Sequence, residues 1–440
     1  MLSNSRSTTQ APAPSDNSAV SASGFNRQPA DTSEKPKGIH EVDVAQVRHP
    51  FWRWLISTMQ KAHLSRLTLV LPDHRSVHIG EVKGGIPAPT IRLNSTAAVR
   101  KAYISGVLGW GEAYIEGDWE TDDLLQVTEW AMHNSQALDD VFEGSAAGRW
   151  LHRLLHRLND NSLKGSRRNI SAHYDLGNEF YAQWLDPSMT YSSALYQQPQ
   201  ESLQSAQHNK YDRILELLNI QPQDKVLEIG CGWGGFAERL LTQHRNSQYH
   251  GVTLSTEQLA WAQKRLKDHA VDNRGEATLT DYRMIEGQYD KIASIEMLEA
   301  VGEAHWPTYF KTLYDRLKPG GEAVIQVITI EEDRFENYRN NADFIQRYIF
   351  PGGMLLTPRV VQEQADLAGL ELNHQQAFGQ DYAQTLSKWR DNFEAAWESI
   401  KPLGFDERFR RLWRYYLCYC ESGFRHESID VYLFRLKKPE

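Results

Sequence analysis

Between Lys225 and Ile330, strand-like and helix-like stretches alternate, and this alternation constrains the fold more than any other feature of the chain. Lys225–Ile229, Tyr249–Leu254, Ala277–Asp281, Tyr289–Ile295 and Ala323–Ile330 are apolar runs of strand length. Gly235–Thr242, Glu257–His269 and Trp306–Leu317 carry helical spacing, the last ending at Lys318-Pro319-Gly320-Gly321. Strands joined by helix-length crossovers pair in parallel and need a helical layer on each face. The pattern predicts a doubly wound α/β sheet of Rossmann-like type, closed by a last strand at Ile429–Leu436 after a long helical stretch.

The turn Gly230-Cys231-Gly232-Trp233-Gly234-Gly235 falls directly after the first of these strands and opens a helix. Glycines there allow positive backbone angles and close approach of the main chain to a ligand. The spacing is G-x-G-x-G-G, not the G-x-G-x-x-G of the dinucleotide fingerprint. Glu228, just before the first glycine, suits a methionine amine better than a pyrophosphate. These residues point to S-adenosylmethionine. No acid stands at the end of the second strand, so Thr253, Ser255 and Gln258, or Glu257 in their place, are expected to do the polar work there. Asp281 and Tyr282, after the third strand, are the expected adenine contacts.

The rest of the chain divides by composition. Residues 1–40 are rich in Ser, Pro, Thr, Asn and Ala, which predicts a disordered tail. Residues 41–145 predict a small α+β domain: a helix around Phe51–Ile56, strands at Leu67–Leu71, Val77–Ile79 and Thr90–Leu93, and a helix over Asp122–Met132. Residues 146–170 are a basic amphipathic linker that either packs between domains or lies on anionic headgroups. Residues 171–440 form the catalytic domain. The net charge of −9 argues against nucleic acid as a partner, and 3 cysteines are too few for a disulfide framework. No apolar run approaches the ~18 residues of a spanning helix. A cytoplasmic protein, peripheral at the membrane's inner face, is expected. The 16 histidines show no zinc-type spacing, so no metal is expected; His173 and His305 are assigned structural roles.

Eight segments occur in an order that carries a resemblance. They are Ile170–Asn178, Met189–Ser193, Glu228–Gly235, Gly251–Ser255, Glu296–Gly302, Tyr348–Gly353, Phe378–Tyr382 and Tyr415–Cys420. Over roughly residues 165–440, and more loosely 60–130, the chain resembles cyclopropane-fatty-acyl-phospholipid synthases and their plant and mycolic-acid relatives. The resemblance implies a methyltransferase fold with helical additions at the active site, S-adenosylmethionine as methyl donor and a phospholipid bilayer with unsaturated acyl chains as partner. Tyr191 and Ser192 join Glu228, Gly230, Gly232 and Gly234 as expected cofactor contacts. A homodimer, and a lipid-engaging or dimerising role for the N-terminal domain, are implied as well.

The resemblance also implies a cradle for a bound bicarbonate base made by Ser193, Glu299, Gln326, Tyr382 and Cys420. Two of these depart from the bacterial pattern, which has Cys in place of Ser193 and His in place of Gln326. The implied reaction alkylates a cis double bond to give a cyclopropane ring. The departures admit a methyl or methylene product without a ring, or a lipid-binding protein without activity. Cys231 is expected to pack beside the cofactor and Cys418 to be structural.

Overall fold

The structure, a computed structural model, describes residues 40–141, 176–341 and 343–440. The expected tail up to Ile39, the basic linker, His173 and the Ile170–Asp175 part of the first resembling segment lie outside the described residues.

The alternating stretches build a seven-stranded sheet. Its strands are β6 (Lys225–Ile229), β7 (Gln248–Thr253), β8 (Gly275–Leu279), β9 (Tyr289–Ile295), β10 (Leu317–Ile330), β11 (Glu371–Ala377) and β12 (Ile429–Lys437), in the order β11-β12-β10-β9-β6-β7-β8. The five strands from β6 to β10 pair in parallel, while β12 is antiparallel to both its neighbours. Alternation along β6 explains the two layers. Val226 faces one buried cluster, and Leu227 and Ile229 face the other. Each such leucine or isoleucine contributes roughly 1.5–3 kcal/mol by leaving water. Strand order reverses between β6 and β9, which opens a crevice at their C-terminal ends.

β11 was not expected from the sequence. Its residues Glu371-Leu372-Asn373-His374-Gln375-Gln376-Ala377 are mostly polar because it is the sheet's edge, exposed at every second position. Lys318-Pro319-Gly320-Gly321, expected as the end of a helix, instead forms an irregularity inside β10, where the register to β9 shifts between Leu317 and Glu322.

A second sheet, in the order β1-β3-β2-β4-β5, lies earlier in the chain. It comprises β1 (His40–Glu41), β2 (Leu67–Val70), β3 (Arg75–Ile79), β4 (Thr90–Leu93) and β5 (Trp119–Glu120). Leu67, Leu69, Ile91 and Leu93 point from it into a core shared with Leu55 and Met59 of the helix Pro50–Lys61. The glycine- and aromatic-rich stretch after Gly106 is helical: Ala97–Ile115 is one helix broken at Gly106, whose φ of 58° and ψ of −139° only glycine adopts readily.

The helix Glu407–Arg425 joins the two sheets' surroundings. It packs on the helix Gly379–Ala395 on one side and on Leu124–His133 on the other. Thr128 makes a 2.6 Å hydrogen bond with Ser422, and Arg425 and Arg411 pair with Glu129 and Glu120. No helix among the described residues is long and apolar enough to cross a membrane.

Candidate active site

At the end of β6 the chain turns through Gly230 and Gly232, with φ of 86° and 48°. The N–H groups of Gly230 and Cys231 both donate to the Val252 carbonyl at 3.0 Å, so β7 fixes the turn from behind. In front of Gly232 there is open space where a side chain would stand. Glu228, Gly230, Gly232, Thr253, Gln258 and Tyr282 face a cavity of about 1330 Å³. Glu228 is buried and its carboxyl is pushed up to about 8 by desolvation, against the opposing pull of the Tyr249 hydroxyl and Lys210. The Tyr282 hydroxyl is buried there without a hydrogen-bond partner among the described residues. An open glycine turn flanked by an acid and hydroxyl groups fits a sulfonium nucleoside with an amino-acid tail.

Three expected cofactor residues face elsewhere. Gly234 is the left-handed start of the helix Gly235–Gln243 and packs against Ala262. Ser255 caps the helix Thr256–Asp268 by accepting from the Gln258 N–H. Asp281 is occupied by a two-pronged ion pair with Arg283. Each sits at a helix start or turn, where a polar or glycine residue serves the backbone first. Tyr191 and Ser192 do face the cavity.

Three of the five residues expected to cradle an anion converge on a carboxylate of the chain itself. Glu296 stands one position past β9, with a φ of 50°. A non-glycine residue there is strained by about 1–3 kcal/mol, and such strain persists only where the surroundings over-determine it. Here they do. The parallel register sets Gln326 of β10 opposite Ile295, and the Gln326 carbonyl accepts from the Glu296 N–H at 2.9 Å. Glu296 Oε1 then accepts from the Gln326 amide at 2.6 Å, the Ser192 hydroxyl at 2.8 Å and the Ser193 N–H at 2.8 Å. Its Oε2 accepts from the Tyr382 hydroxyl at 2.7 Å.

Thus Ser193, Gln326 and Tyr382 converge, yet on Glu296 and not around an open anion site. Ser193 takes part through its backbone; its hydroxyl donates to the Ala194 carbonyl. Neither Ser193 nor Gln326 reaches the cavity surface, whereas Tyr382, Glu299 and Cys420 do. Glu299 lies outside the cradle. Its Oε1 accepts from the Ile328 N–H at 2.5 Å, and its Oε2 has no hydrogen-bond partner among the described residues. Its exposure is to the cavity and not to bulk water, and desolvation, with Glu296 nearby, pushes its carboxyl up to about 8. Glu299 is therefore protonated at neutral pH while Glu296 is held by four donors. Burial also pushes the Cys420 thiol up, away from a thiolate.

Sequence reasoning missed Glu296 because it followed the motif to Glu299. The signal present was position: an acid directly past the fourth strand, at the carboxyl edge where such sheets bind ligands. Its positive φ has no sequence signature.

From the cradle the cavity continues between aromatic walls. The Tyr191 and Tyr416 hydroxyls bond to each other at 2.7 Å, and Tyr382 stacks near Phe424 with ring centres 4.4 Å apart. It then passes Phe344 and Tyr415 and reaches Leu67, Leu69, Ile91 and Leu93 of the N-terminal sheet. Pockets for single small ligands run about 300–1,000 Å³, so this one has room for more than a cofactor.

Comparison with known proteins agrees with this geometry. The mycolic acid cyclopropane synthetase family matches residues 161–434. The tuberculostearic acid methyltransferase of Mycobacterium tuberculosis is 37% identical, over 79% of this chain and 83% of its own. The cyclopropane-fatty-acyl-phospholipid synthase of Escherichia coli strain K12 is 34% identical over 80% and 88%. A solved mycolic acid cyclopropane synthase complexed with SAH and CTAB superposes with a TM-score of 0.58 at 30% identity, covering 62% of this chain and 98% of that one.

Proposed function

Because this chain belongs to the mycolic acid cyclopropane synthetase family and is an S-adenosylmethionine-dependent methyltransferase, we propose that it methylates a double bond in a lipid acyl chain with its own Glu296 as proton acceptor. The observation that carries this reading is the Glu296 carboxylate, fixed by four donors beside the glycine turn in a cavity with apolar walls. S-adenosylmethionine, when bound, supplies an electrophilic methyl group and leaves as a neutral thioether. An alkene is a weak nucleophile, so the cavity must hold it in line with that methyl and exclude water. The glycine turn and Glu228 position the cofactor; the apolar cavity positions the chain.

Attack of the double bond on the methyl carbon leaves a cation on the neighbouring chain carbon. Tyr191, Tyr382 and Phe424 offer aromatic faces to it. A proton must then leave the delivered methyl group. Glu296 stands where the resemblance implied bicarbonate, and it takes up the Ser193, Gln326 and Tyr382 donors that such an anion would need. Oε1 already accepts three hydrogen bonds, so Oε2, with one, is the oxygen left to receive the proton.

Two products follow from the same proton loss. If the C–H pair closes on the cationic carbon, a cyclopropane forms. If hydride first moves from the methyl-bearing carbon to the cationic one, the same loss gives a methylene branch on the open chain. The heavily bonded Glu296 favours the second, because a carboxylate so engaged abstracts slowly and leaves time for the shift. The 37% identity to a tuberculostearic acid methyltransferase supports the same choice. A saturated methyl branch would need a separate two-electron reduction.

The test is incubation with methyl-labelled S-adenosylmethionine and vesicles of a monounsaturated phospholipid. Label in the acyl chains with vinylidene protons in the NMR spectrum is expected. The two products share a mass, so cyclopropane protons would overturn the product assignment, and unlabelled lipid would overturn the substrate.

A further inference from the structure

We propose that Lys210 is the positioning residue of this proton-accepting site, acting through Ser192 to hold the Glu296 carboxylate in place and aimed at the substrate. The proposal rests on the reading of Glu296 above.

Lys210 belongs to the helix Leu203–Leu218, whose buried face runs Leu203, Ala206, Gln207, Lys210, Tyr211 and Ile214. A lysine on that face is wholly enclosed, with no exposed surface. Burying an ammonium is costly unless it is paired and hydrogen-bonded, so its presence asks for a reason. Its Nζ donates to the Ser192 hydroxyl at 2.9 Å. That hydroxyl donates in turn to Glu296 Oε1 at 2.8 Å. The chain of donors runs one way, from cation to carboxylate, and orients the serine proton toward Glu296. Gln207, one turn earlier, fixes the same serine by donating to its carbonyl at 2.8 Å.

The charges facing these groups have been placed by separate elements. Burial brings the Lys210 pKa down to about 8, against the opposing pull of Glu296, then of Asp186 in the loop after the helix Asn178–Ala182, and last of Glu228 at the end of β6. Lys210 is thus still a cation at neutral pH. On the far side, Glu296 faces the Tyr382 hydroxyl and the raised carboxyl of Glu299. Lys210 is the cation linked to the cradle through one hydroxyl, and it touches neither the cavity surface nor the substrate path.

The experiment is a pH profile of single-turnover methyl transfer by the full chain, comparing wild type with Lys210→Met, Lys210→Arg, Ser192→Ala and Glu296→Gln. An opposite charge within reach commonly lowers a carboxyl by about 1–3 pH units. Lys210→Met should therefore move the acid-side midpoint up by about one unit or more. Lys210→Arg should keep it near the wild-type value. Ser192→Ala, which cuts the link and leaves the charge, should shift it the same way by less, and it serves if the methionine variant does not fold. A structural lysine would lower Tm with the midpoint unmoved; that result in Lys210→Met and Ser192→Ala overturns the proposal. Glu296→Gln should abolish the acid limb. If it leaves the limb in place, the reading of Glu296 falls; if it removes the limb while Lys210→Met does not shift it, only the role of Lys210 falls.

Discussion

The two ends of the cavity are both withdrawn from water, yet they are built from different materials. At one end, Ser192, Ser193, Gln326 and Tyr382 hold a single carboxylate by directed hydrogen bonds of 2.6–2.8 Å. At the other, Leu67, Leu69, Ile91 and Leu93 offer only apolar surface. Directed bonds specify position and charge, and leaving one unmade costs the full desolvation of its partner. Apolar walls specify volume and tolerate changes of shape far better. The polar end should therefore decide whether and how the chain is methylated, and the apolar end which chains fit. Every substitution below is a way to break or sharpen that division.

The largest effect is expected from Glu296→Gln. The amide keeps the shape but cannot accept the proton, and loss of a general base typically costs about 10²–10⁴-fold. Single-turnover transfer from labelled S-adenosylmethionine measures it. Cofactor affinity by calorimetry should change little, since Glu228 and the glycine turn are untouched. Retention of full activity would place proton acceptance elsewhere in the cavity.

Tyr382→Phe removes one donor to the same carboxylate, on the oxygen assigned to the proton. A hydrogen bond to a charged group is worth about 1.5–3 kcal/mol, so proton removal by the freed oxygen should quicken by up to roughly 10- to 100-fold. The ratio of ring to methylene product, read by NMR, should move as well, because Oε2 loses the Tyr382 hydroxyl that donates to it. An unchanged ratio would separate Glu296 from the fate of the cation.

At the apolar end the expected change is in preference. Leu69→Trp adds bulk to a wall that is 3% exposed. In a filled core such a change costs about 1–3 kcal/mol of stability. Facing a cavity, the indole has room, and the variant should stay folded while favouring shorter acyl chains by a few-fold to about tenfold in kcat/KM. A fall in Tm with chain preference unchanged would mean the substrate does not reach the N-terminal sheet.

The contrast also explains what the sequence made legible. Period and turn chemistry are local, so the strands β6, β7, β9 and β12 and the glycine turn appear close to their expected bounds. Edge strand β11 escaped because exposure left it without an apolar alternation. In the site, the residues that converge were nameable from the resemblance, but their centre was not. Glu296 becomes the centre only through its positive φ and the β9–β10 register, both products of the whole sheet. Lys210 did carry a local signal, a cation on the apolar side of a helix, and its meaning depended on Ser192 lying above it. Gly234, Ser255 and Asp281 show the converse: near the cofactor in sequence, they serve helix starts and a turn.

The smallest effect separates the two carboxylates within the polar end. Glu299 has a folded-state pKa raised from 4.5 to about 8 by burial, with Glu296 adding to it. The folded chain thus keeps a proton that the unfolded chain has released. The stability this lends is complete below about pH 4.5, and is lost as pH rises toward 8. Glu299→Gln cannot ionise and escapes that loss. Its stability should match wild type near pH 4.5 and exceed it at pH 8, with the gap widening steadily between the two. Denaturant unfolding at the two pH values measures the difference. A gap of the same size at both would mean that Glu299 does not titrate in this range, and that the neutral partner beside Glu296 must be sought in another group.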